Sequence, residues 1–136
     1  MVIINTKKTV QDILQEEMLR ERAAVLARAG EHLSDALAKL AKIESEIAAG
    51  MAIWRRRGVG NGGSVAPEGT DDDRRRLICE LNGKIGVYNR QLEQVRTRYY
   101  YLIVTREALG IIHHQRLEEI YRIPRQKRLL SEKGEE

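Results

Sequence analysis

The sequence has no phenylalanine, one cysteine, one tryptophan and two prolines among 136 residues. A single Cys79 excludes an internal disulfide and a zinc cage built from cysteines. No apolar run approaches the ~18 residues of a membrane span. The run at the N-terminus, Met1-Val2-Ile3-Ile4, is far below the ~7–15 of a secretory core. A reducing cytoplasm is therefore the expected location. The two prolines, Pro67 and Pro124, leave two long stretches without a helix breaker. Hydrophobic residues at 42% and charged ones at 32% exclude a membrane protein and a low-hydrophobicity disordered chain. The length is that of one domain, too short for a multi-domain enzyme.

What is present is helical spacing. After an N-terminal segment (1–8), Thr9 and Asp12 form a capping pair at the start of a first helix expected over 9–57. Apolar residues then recur at intervals of 3 and 4: Leu19, Ala23, Leu26, Leu33, Leu37, Leu40, Ile47, Met51, Trp54. Val25, Ala29, Ala36 and Ile43 broaden the stripe. Residues 58–70 form a glycine-rich connector. A second helix is expected over 71–122, opened by Asp71, Asp72 and Asp73 against the positive end of its dipole. Its stripe reads Leu81, Ile85, Tyr88, Leu92, Val95, Tyr99, Leu102, Leu109. Pro124 ends the pattern. The tail, 123–136, is basic and then acidic, and is expected to be loosely ordered unless Leu129-Leu130 dock. Gly30, Gly50, Gly83, Gly86 and Gly110 are soft points in the two helices.

These features predict an all-α fold. Two helices of ~50 residues, each ~75 Å long, form a long antiparallel, coiled-coil-like hairpin. Two helices hide only a narrow seam, and the stripes are broad. A second copy supplying further surface would give a homodimer and a four-helix bundle; a monomer folded back at Gly30, Gly50 or Gly110 into a shorter bundle is the alternative. The candidate interface is Leu33, Leu37, Leu40, Ile47, Trp54, Tyr88, Leu92, Val95, Tyr99 and Leu102.

The net charge of +4 is unevenly placed. Residues 1–54 hold 7 basic and 8 acidic side chains, 55–76 hold 6 and 4, and 77–136 hold 11 and 8. The excess lies at Arg55-Arg56-Arg57 and Arg74-Arg75-Arg76, which flank the connector, and at Arg125, Lys127 and Arg128 in the tail. These residues are the candidate contacts for phosphate or an acidic partner. Against that, the three aspartates at the same hairpin end can neutralise half of the six arginines.

Other groupings point to structure. Gly58-Val59-Gly60-Asn61-Gly62-Gly63 matches G-x-G-x-x-G, but a helix precedes it where dinucleotide folds need a strand. His113, His114 and Glu118 lack the paired Glu-x-x-His motifs of metal bundles. Tyr99, Tyr100 and Tyr101 point ~100° apart on a helix, so only Tyr99 continues the core series. Glu44 and Arg106 are the polar interruptions of the two stripes, too far apart along the hairpin to meet. Cys79 has no activating neighbour. No nucleophile, base and oxyanion donor come together. The reading is therefore a non-catalytic interaction, adaptor or chaperone-like protein, without cofactor or metal, that self-associates and binds a protein partner. Nucleic-acid binding through the arginine-flanked end and the basic tail is the alternative.

Overall fold

The computed structural model describes residues 9–58 and 70–131, apart from the side chains at 57, 58 and 70. The N-terminal segment 1–8, most of the expected connector and the last five residues lie outside the described residues. Three helices follow in order: α1 (Val10–Gly58), α2 (Thr70–Ala108) and α3 (Gln115–Ile120). No strand occurs among the described residues. The two long helices pack against each other.

A capping box starts α1. The Thr9 hydroxyl accepts from the Asp12 amide at 3.1 Å, and the Thr9 amide donates to the Asp12 carboxylate at 3.2 Å. Further along, α1 buries Leu33, Ala36, Leu40 and Ile47. Its partner α2 buries Ile78, Leu81, Ile85, Tyr88, Leu92, Val95 and Leu102. Those α2 positions advance by 3 and 4 residues, with Tyr99 half-buried in the last interval. That spacing keeps one face of a helix on its neighbour. Each buried leucine, isoleucine or valine among them contributes ~1.5–3 kcal/mol.

The contacts between the helices run in opposite order along the chain. Arg74 lies over the Trp54 ring. Leu81 touches the place where a Cβ at Gly50 would sit. The Gln91 side chain donates to the Ala36 carbonyl at 3.0 Å. Leu26 and Gly30 share a groove with Leu102 and Arg106. Gly50 is thus a close-packing point, and its missing side chain is occupied by Leu81.

The second helix ends at Ala108, short of the expected Arg122. Gly110 has φ 88°. The Gly110 amide bonds the Glu107 carbonyl at 3.0 Å, and the Ile111 amide bonds the Arg106 carbonyl at 2.9 Å. This pair of bonds around a left-handed glycine is a Schellman stop. The turn sends the chain back. In α3, Leu117 enters the core, and Tyr121, Ile123 and Leu130 then pack against it. The third surface that the broad stripes require comes from this chain's own C-terminal segment.

Candidate functional site

Nine of the ten candidate interface residues lie in or against the core within one chain, and Trp54 lies beside Arg74 at the hairpin end. Leu33, Leu40, Ile47, Tyr88, Leu92, Val95 and Leu102 are buried; Leu37, Trp54 and Tyr99 are half-buried. Within one chain, those of the core pack α1, α2 and the C-terminal segment together.

The arginine clusters are placed differently. Arg55, Arg56, Arg74, Arg75 and Arg76 are exposed, and the side chain of Arg57 lies outside the described residues. The Arg74 guanidinium stands 5.9 Å from the Trp54 ring centroid, which joins the end of α1 to the start of α2. In the tail, Arg125 and Arg128 are exposed. Lys127 is not: its ammonium is 2.9 Å from the Glu44 carboxylate and 5.0 Å from the centre of the Tyr88 ring. It is half-buried and paired within the chain, whereas no ion pair is formed by Arg125 or Arg128 among the described residues.

The polar interruptions of the two stripes share one role. Glu44, on α1, receives Lys127. Arg106, on α2, donates to the His113 carbonyl at 3.0 Å and to Nδ1 of His114 at 3.3 Å. A guanidinium offers no acceptor, so Nδ1 of His114 accepts and its Nε2 proton points to Glu107 at 3.1 Å. Both interruptions hold the segment that returns after Gly110. The same arrangement uses up the ring nitrogens of His114. Among the described residues no cluster of three His, Cys, Asp or Glu could hold a metal.

Two asparagines complete the attachment. Asn89 donates to the Lys127 carbonyl at 3.0 Å and accepts from the Lys127 amide at 2.9 Å. Asn82 treats Leu130 the same way, at 2.9 and 2.7 Å. Net contributions are ~1 kcal/mol per neutral hydrogen bond. The Lys127–Glu44 pair is 29% and 45% exposed and adds at most ~1 kcal/mol. Burial raises the Tyr88 phenol above its ordinary pKa, and the nearby Glu44 carboxylate adds to the shift.

Sequence reasoning missed Asn82 and Asn89. The available signal was two poor helix formers seven residues apart, beside the core stripe.

Elsewhere, Tyr100 and Tyr101 are exposed, with ring centroids 6.2 Å apart. Tyr99 Oη and Trp54 Nε1 are buried without a hydrogen-bond partner among the described residues. Cys79 is exposed and free. No described helix is long and apolar enough to cross a membrane.

The first part of α1 carries a run of exposed apolar residues. Val10, Leu14, Met18 and Val25 are exposed at spacings of 4, 4 and 7, which places them on one face. Ile13 and Leu19 flank them, also exposed. The core begins only at Leu26. Comparison with protein-family models, curated proteins and solved structures finds no match for this chain.

Proposed function

We propose that this protein is a non-catalytic interaction module, an antiparallel helical hairpin that self-associates through the leading part of α1. The observation that carries this reading is the exposed stripe Val10, Leu14, Met18 and Val25 on a helix that continues ~24 Å beyond the core. Contiguous exposed apolar residues of this kind mark protein contact surfaces.

A second copy is the occupant that fits. Laid antiparallel about a two-fold axis at Met18, two copies bring Met18 against Met18 and cover each other's apolar stripe in a self-complementary contact. This pairing needs no residue of the intramolecular core. It replaces the full four-helix bundle, because the C-terminal segment already covers the broad stripes. Sedimentation equilibrium tests it. A mass of twice 15.6 kDa at micromolar concentration is expected, and a monomer of 15.6 kDa across that range refutes it.

One observation favours a second reading, nucleic-acid binding at the hairpin end. Arg55, Arg56, Arg74, Arg75 and Arg76 are exposed, and none forms an ion pair among the described residues, in spite of the neighbouring aspartates. Under this reading DNA or RNA affinity falls steeply with salt and drops when the arginines are replaced. Retention that ignores salt rejects it.

A further inference from the structure

We propose that the flank of α2 carrying Asn82 and Asn89 is a binding site for an extended peptide, and that residues 121–131 are its resident, displaceable ligand. The ligand class is a chain with lysine followed three places on by an aliphatic residue. The inference rests on the C-terminal groove and not on the leading part of α1, so either can fail without the other.

The geometry separates backbone reading from side-chain reading. Each asparagine amide holds both the N–H and the C=O of one residue, Lys127 or Leu130. A side-chain amide presents one donor and one acceptor side by side, which matches the two main-chain groups of an extended residue. The spacing is matched as well. Seven helical residues rise ~10.5 Å, and three extended residues span ~10 Å. The two clamps therefore stay in register only with an extended chain. No described regular element includes residues 122–131.

These four bonds ignore side-chain identity, so specificity comes from the seats between them. The lysine seat is the Glu44 carboxylate with the Tyr88 ring face. The aliphatic seat takes Leu130 against the core. Leu129, between them in sequence, is exposed and unread. The pattern read is Lys-x-x-Leu.

Detachment has a defined route. The segment is held by neutral hydrogen bonds, one part-exposed ion pair and the packing of Tyr121, Ile123 and Leu130 on the core, and none of its residues is fully buried. Anything added in trans competes with a tethered tail whose effective concentration is on the order of millimolar. Wild-type protein is therefore expected to bind a free copy of the segment poorly.

The test uses the full-length chain and a fluorescein-labelled peptide of residues 121–131, read by fluorescence polarisation. Lys127→Glu with Leu130→Asp releases the resident tail and is expected to tighten peptide binding at least tenfold over wild type. Adding Asn82→Ala and Asn89→Ala is expected to cancel that gain, with helical circular dichroism unchanged. A scrambled peptide of the same composition is expected not to bind. Equal binding of the scrambled peptide means charge attraction alone and overturns the proposal. So does a tail variant that binds no tighter than wild type, or whose gain survives loss of both asparagines. If the tail variant loses its helical signal, the segment is part of the fold and not a ligand, which also overturns it. Hydrogen exchange on the wild type gives an independent reading. The Lys127 and Leu130 amides are expected to be protected, and free-chain exchange rates there contradict the clamps.

Discussion

The two parts of α1 carry apolar residues at helical spacing and meet opposite fates. Leu33, Leu40 and Ile47 are 0%, 3% and 4% exposed, whereas Val10, Leu14 and Met18 are 75%, 53% and 51% exposed. The difference is not one of local propensity, because α1 is continuous through both. It comes from the partner. The Schellman turn at Gly110 stops α2 and sends the chain back along α1 past Gly30 and Glu44. The leading turns of α1 are left with apolar side chains and nothing described to cover them. Spacing shows which side of a helix is apolar; the length of the neighbouring helix decides how much of that side is core.

The largest expected contrast follows from this comparison. Leu92→Ala removes a fully buried side chain and is expected to cost ~2–5 kcal/mol in urea unfolding. Leu14→Ala, on the exposed part, is expected to change monomer stability by no more than ~0.5 kcal/mol. Similar losses at both sites would break the division of α1 into core and surface.

Glycines sharpen the comparison at an intermediate scale. A Cβ at Gly50 runs into Leu81, whereas one at Gly83 meets nothing within 4 Å. Gly83→Ala is expected to stabilise by ~0.5–1 kcal/mol through helix propensity. Gly50→Ala gains the same propensity and loses more to overpacking, a net cost of ~1 kcal/mol. Thermal melts of the two variants should move in opposite directions.

The smallest effects concern the tyrosines. Tyr99→Phe removes a buried hydroxyl that has no partner and is expected to leave stability unchanged or raise it by up to ~1 kcal/mol. Burial, with Glu118 adding and Arg106 opposing, raises the Tyr99 phenol above its ordinary value. Burial and Glu44 do the same for Tyr88. A raised phenol pKa means that the fold holds the proton more tightly than the unfolded chain does. Stability is then undiminished below about pH 10 and declines as pH rises through the folded values. Chemical unfolding at pH 8 and pH 11 measures the decline, which should be smaller in Tyr99→Phe.

The helical class was legible because proline is scarce and apolar residues recur at 3 and 4 over long stretches. The capping pair Thr9–Asp12 was legible for a similar reason, since its two residues lie within one turn. The end of α2 was harder. Leu117 and Ile120 continue the apolar spacing past Gly110, and only the φ of that glycine distinguishes a pause from a stop. The C-terminal attachment was not legible. Glu44 and Arg106 stood out as polar gaps, but each is answered by a residue that no periodicity links to it, Lys127 and His114. Asn82 and Asn89 act through amides whose partners are main-chain groups, and main-chain groups leave no trace in a sequence.

The central claim is that a second copy covers the leading stripe of α1. Association of folded chains makes the melting temperature depend on protein concentration. The direct measurement is therefore a set of thermal melts over a hundredfold range of concentration, for wild type and for Leu14→Glu with Met18→Glu. The account predicts a melting temperature that climbs with concentration in wild type and stays constant, at the dilute wild-type value, in the double variant. A wild-type melting temperature that is independent of concentration would contradict it.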